Sequence, residues 1–133
     1  MIFNNFEEFE LSGTKYKLKY NLKAAAGVER ELGKTFVYDL PKQMAEGILP
    51  PVTSLFTLFR HGFTEGNPKT DGWKEDDVAE IFEAAVCEYS LIQVAGLCIK
   101  ALVTAGVLQT KPKKVIAGLK EQPKDGPSTT SAT

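Results

Sequence analysis

Residues 6–21, FEEFELSGTKYKLKYN, limit the fold more than any other stretch of this chain. Phe9 and Leu11 alternate with Glu8 and Glu10; Ser12, Gly13 and Thr14 supply turn chemistry; Tyr16, Leu18 and Tyr20 then alternate with Lys15, Lys17 and Lys19. Successive strand side chains point to opposite faces. Period two on both sides of a glycine-containing turn therefore specifies a β-hairpin. One face is aromatic and aliphatic, so another part of the chain must cover it. The other face sets glutamates near lysines, pairs that favour register and solubility by only a few tenths of a kcal/mol. Those glutamates neutralise the lysine stripe, and the whole chain carries a formal charge of −1. Nucleic-acid binding needs a clustered positive field and is not expected.

Asn21 reads as the N-cap of LKAAAGVEREL, whose Leu22, Ala25, Val28 and Leu32 recur at helical spacing. That stripe is the expected cover for the hairpin, with Gly33 ending the helix. Pro41 is expected to open a short helix through Met44 and Ala45, stopped by Gly47 and by Pro50-Pro51. Val52, Leu55, Phe56, Leu58 and Phe59 suit a buried helix ending near Gly62, and residues 64–72 form a loop by composition. Glu75, Asp76 and Asp77 read as an acid-rich helix start, favoured by the positive end of the helix dipole. Val78, Ile81, Phe82, Ala85 and Val86 follow as an amphipathic stripe, and the apolar pattern runs on through Leu91, Val94, Ala95, Cys98, Leu102 and Val103, with a break near Ser90.

The expected architecture is α+β, mostly α: an N-terminal β-hairpin packed on a helical bundle. Residues 1–108 are read as a single domain and residues 109–133, rich in Pro, Lys, Ser and Thr, as a flexible polar tail with at most one helical turn at Val115–Leu119. No apolar run reaches the roughly 18 residues of a membrane span, and the acidic N-terminus lacks the features of a secretory signal. Cys87 and Cys98 fall eleven residues apart in one helical stretch. A continuous helix would point them the same way but hold them roughly 16 Å apart along its axis. An internal disulfide is not expected; buried thiols in a reducing compartment are.

The stretch LFRHGFTEGN, Leu58 to Asn67, resembles the phosphate-gripping signature of the histidine phosphatases through Leu58, Arg60, His61, Gly62, Thr64 and Asn67. That chemistry needs a second histidine and further cations around the phosphate, and His61 is the only histidine in the chain. The bland reading puts Arg60 and His61 in the last turn of a helix, where cations face the negative dipole end. Glu7, Glu8 and Glu10 look solvated, Asp76, Asp77 and Glu80 look like helix-start residues, and no base flanks Ser54 or Ser90. No enzyme, cofactor or metal is expected.

The order of the elements is more informative than any single motif. A pattern F-x-L-x-G-x-x-Y-x-L-x-Y falls on Phe9, Leu11, Gly13, Tyr16, Leu18 and Tyr20, followed by E-x-E-L-G-K at Glu29, Glu31, Leu32, Gly33 and Lys34. Later come Arg60-His61-Gly62 and an acidic start with Trp73, Glu75, Asp76, Asp77, Val78, Glu80 and Ile81. This order resembles the tail assembly chaperones of long-tailed bacteriophages and gene transfer agents, over roughly residues 6–105. The resemblance implies a non-catalytic protein that keeps the long helical tape measure protein soluble and recruits tail tube subunits. It also implies action in the host cell cytoplasm, absence from the mature virion, a possible homo-oligomer, and no nucleic acid or membrane partner. Such proteins are often made in two lengths by a programmed ribosomal frameshift, and Lys113-Lys114 or Leu119-Lys120 could be encoded by a slippery run. The alternative is a minor tail or head–tail protein retained in the particle. Leu55, Phe56, Phe59, Phe63, Leu91, Val94 and Leu102 are the expected partner-binding residues. They belong to stretches more apolar than a small domain needs to bury.

Overall fold

A computed structural model describes residues 5–108. The expected tail, with its helical turn at 115–119, lies outside the described residues. The hairpin pairs β1 (Glu7–Leu11) with β2 (Thr14–Leu18) antiparallel, Phe9 opposite Tyr16 and Leu11 opposite Thr14. Ser12 and Gly13 form its two-residue turn with φ of 50° and 83°. Positive φ at both positions matches the right-handed twist of the strands. Five helices follow: α1 (Leu22–Leu32), α2 (Phe36–Ala45), α3 (Val52–Gly66), α4 (Glu75–Tyr89) and α5 (Leu91–Thr104). The α+β, mostly α architecture is as the sequence predicts.

The cover of the hairpin differs from expectation. Helix α1 does not lie on it: Leu22 is 84% exposed, and the inward residues Ala24, Gly27 and Val28 pack on α3. They are too small to fill an aromatic face. Helix α3 does so instead. Phe59 meets Phe9 at a ring-centroid distance of 5.9 Å, and Phe63 meets Tyr16 at 5.3 Å. Phe82 of α4 adds to the cluster 5.3 Å from Phe59. These offset and tilted rings suit the aromatic quadrupole and make one continuous core.

Two side chains close the open edges of the hairpin. On the β2 edge Asn67 accepts from the Lys17 N–H through Oδ1 at 3.1 Å and donates to the Lys17 carbonyl through Nδ2 at 2.8 Å. On the β1 edge the Tyr89 hydroxyl donates to the Glu10 carbonyl at 2.5 Å and accepts from the Glu10 N–H at 3.3 Å. The Lys19 N–H donates to the Gly62 carbonyl at 3.0 Å. Each contact satisfies backbone groups that a lone two-stranded ribbon leaves to water or to another chain.

Three local expectations are corrected. Helix α2 begins at Phe36, so Pro41 lies inside it rather than at its start. Burial of Val37 and Leu40 outweighs the hydrogen bond the proline removes. Helix α3 continues to Gly66, a turn beyond Gly62, because Gly62 serves a close approach by the Tyr20 ring and not a C-terminal stop. Arg60 and His61 are therefore inside the helix, away from its dipole end. The two cysteines sit on different helices: α4 and α5 turn through 111° at Ser90, leaving Cys87 exposed and Cys98 buried. Burial pushes the Cys98 thiol up to about 12, although a hydrogen bond with Tyr20 pulls the other way. It behaves as a small hydrophobe.

Asn21 caps α1 as expected, its Oδ1 accepting from the Ala24 N–H at 2.9 Å, and Gly33 ends that helix with φ 97°. Ser90 adopts nearly the same backbone, φ 99° and ψ 157°, while capping the end of α4 and the start of α5. That region is essentially glycine-only and costs a side chain about 1–3 kcal/mol. The Ser90 hydroxyl recovers part of this by accepting from the Gln93 N–H at 3.2 Å. Ser90→Gly should raise stability by about 1 kcal/mol, since a glycine N-cap costs only a few tenths relative to serine. Urea denaturation midpoints check this; a less stable variant would show that the hydroxyl cap outweighs the strain.

Candidate partner-binding surface

The phosphatase-like stretch contains no loop. Leu58 to Gly66 are helical and Asn67 caps the helix. Both candidate cations are engaged by Glu31 of α1: Arg60 Nη2 donates to its two carboxylate oxygens at 2.9 and 3.0 Å, and His61 Nε2 stands 2.8 Å from Oε2. The His61 ring packs against Gly27, where a Cβ would lie 2.5 Å from its Cε1. Arg60 Nε is buried without a hydrogen-bond partner among the described residues. The cluster thus locks α1 onto α3. No group of three or more His, Cys, Asp or Glu side chains converges to hold a metal ion among the described residues.

Burial alone would raise the Glu31 carboxyl, but the hydrogen bonds and charge of His61 and Arg60 outweigh it and hold the group below its usual value of 4.5. Its stabilisation is present above the unfolded value and is lost as pH falls through the lower folded value. The Glu31 side chain is 43% exposed, so water screens the pair and the contribution is about 0.5–1 kcal/mol. Glu31→Gln should lower stability by that amount at neutral pH and by less at an acidic pH below the usual carboxylate range, where the wild-type group takes up its proton. Urea titrations of both proteins at the two pH values test it; an equal deficit at both would locate the effect in packing instead of charge.

Most of the expected partner-binding residues are core. Leu55, Phe59, Phe63, Val94 and Leu102 are each 0% exposed and cannot touch a partner without unfolding. The hairpin needs a cover and α3 and α5 supply it, which consumes the apolar excess of those stretches. Phe56 and Leu91 remain partly exposed and lie on one open groove between α3, α4 and the start of α5. The groove has a volume of about 520 Å³. Val52 and Phe56 line it from α3, Phe82 and Val86 from α4, and Leu91 from α5. Glu80 and Glu83, successive exposed positions of α4, make an acidic ledge along it.

Val52 is 54% exposed, and the chain entering α3 leaves Ile48 51% and Leu49 38% exposed. The sequence pattern predicts Val52 in a buried helix and Val86 in an amphipathic stripe. The spacing of Val52 and Phe56, four residues apart on one helix face, was the available signal. Their remaining side could be assigned to solvent only once the packing of α4 was known. Comparison of the chain with protein-family models, curated proteins and solved structures yields no match.

Proposed function

We propose that this chain is a non-catalytic tail assembly chaperone that holds a helical segment of a tape measure protein in the α3–α4 groove and brings tail tube subunits to it. The observation that carries the reading is the groove itself: an apolar trough with one acidic edge, formed by half-exposed side chains of a well-packed domain. A trough of this kind takes the apolar face of an amphipathic helix, anchored at i, i+3, i+4 and i+7 positions. Glu80 and Glu83 favour a helix flanked by Lys or Arg and disfavour an acidic one. The residue pattern of the family supports the same reading: Leu11, Leu18 and Tyr20 are core, Gly13 makes the hairpin turn and Gly33 ends α1. The protein acts in the cytoplasm of the infected cell and leaves before the virion is complete.

The test is an affinity pull-down of the tagged chain from phage-producing cells, with bound proteins identified by mass spectrometry and purified virions assayed in parallel. The expected result is recovery of the tape measure protein and the tube subunit, with the chain absent from particles. Val52→Glu should abolish tape measure capture while moving stability by no more than about 0.5 kcal/mol, because the side chain is more than half exposed. Capture unaffected by Val52→Glu would remove the groove from the mechanism. Retention of the chain in virions would replace the chaperone with a structural component.

A further inference from the structure

Helix α5, LIQVAGLCIKALVT, is apolar on nearly every side. A helix of that kind is ordinarily enclosed all round. This one is not: Ile92, Gln93, Gly96 and Lys100 face solvent, and Ile92 is 59% exposed. At about 100° per residue, Ile92, Gly96, Ile99 and Val103 fall in one stripe about 60° wide. Gly96 lies at the edge of that stripe nearest Lys100. Its φ is not positive, and a Cβ built on it would meet nothing within 4 Å. Neither the backbone nor the packing of the chain on itself calls for glycine there, and glycine weakens the helix. The remaining physical use of an exposed helix glycine is to admit another backbone.

Beside the stripe a groove of about 530 Å³ runs between α5 and β1. Its apolar lining includes Phe9 and Leu97, and it carries Glu8 on the strand wall and Lys100 on the helix wall. Lys100 is 71% exposed and makes only a long 3.9 Å contact with Glu7. Opposite charges on the two walls allow the patch to complement itself, because a two-fold rotation can set Lys100 of each copy against Glu8 of the other. The α3–α4 groove lacks this property, since the charged residues of its lining are Glu80 and Glu83, which would meet each other. An extended segment adding to β1 is blocked at Glu10 by Tyr89. We infer that a second copy of this chain docks here, with the two α5 helices crossing at Gly96 and Lys100 pairing across the interface with Glu8.

The test is sedimentation of the full chain from about 1 μM to about 1 mM, the range in which a weak homodimer forms. The wild type is expected to associate. Gly96→Ala should raise the thermal midpoint of the dilute chain by about 4 °C through helix propensity. It should nevertheless weaken association at least about tenfold, because the added methyl groups hold the helices apart. Lys100→Glu should weaken association as well, and the exchange Glu8→Lys with Lys100→Glu should recover it. The double exchange decides the matter even if Gly96→Ala perturbs the fold. A wild type that stays monomeric throughout overturns the inference, as does association that survives Gly96→Ala or is not recovered by the double exchange.

Discussion

Gly62→Ala should destabilise the protein by about 3 kcal/mol, although alanine is the better helix former by about 1 kcal/mol. The new Cβ would lie 2.5 Å from Cζ and 2.7 Å from the hydroxyl oxygen of Tyr20. Tyr20 has nowhere to go. It is 1% exposed, and its hydroxyl donates to the Leu58 carbonyl at 2.7 Å, one turn back on the helix that would carry the methyl. Relief requires either breaking that buried hydrogen bond, at about 1–3 kcal/mol, or lifting α3 from β2, where the Lys19 N–H meets the Gly62 carbonyl. Equilibrium urea denaturation measures the loss. A variant as stable as the wild type would mean that the Tyr20 ring is free to move, contrary to its enclosure. Gly96→Ala is the natural control, since the same substitution on an open helix face should stabilise.

Phe59→Ala should cost about 3–5 kcal/mol, a large share of the 5–15 kcal/mol that typically separates folded from unfolded domains. Phe59 is fully buried and joins the three parts of the fold. Its ring stands 5.9 Å from Phe9 of the hairpin, 5.5 Å from Phe63 of its own helix and 5.3 Å from Phe82 of α4. No neighbour fills the space it leaves without uncovering another face of the hairpin. Near-ultraviolet circular dichroism and the urea midpoint should both report the loss. A binding defect in this variant would accordingly be a folding defect. Val52→Glu and Phe59→Ala thus separate two roles that apolar residues of one helix combine: Phe59 builds the core, and Val52 at the open end meets whatever fills the groove. A Phe59→Ala protein that kept its stability would reopen the assignment of Phe59 to the core.

The hairpin, the caps at Asn21 and Gly33, the acid start of α4 and the break at Ser90 were legible in the chain itself. Each is a local matter: side-chain alternation, a capping oxygen, a glycine backbone or a dipole acts within a few residues, so the order of residues carries it. The candidate surface was less legible. Of the residues expected to meet a partner, Phe56 and Leu91 reach it, while Leu55, Phe59, Phe63, Val94 and Leu102 are core. Periodicity marks which face of a helix is apolar but not what covers it.

Tertiary structure decided which helix would cover the hairpin. Both α1 and α3 carry apolar stripes, yet α1 turns the small residues Ala24 and Gly27 inward and α3 turns Phe59 and Phe63. Only the larger rings fill the space above Phe9 and Tyr16. That choice fixed the rest. Once α3 lay on the strands, Gly62 became a contact for Tyr20 instead of a helix end, Arg60 and His61 were turned to Glu31, and Val52 was left at an open edge. The sequence by itself determined the hairpin, the caps at Asn21 and Gly33 and the break at Ser90, because those forces are short-ranged. Close packing among elements distant in the chain determined which apolar faces remained open, because volume and shape are properties of the assembled core.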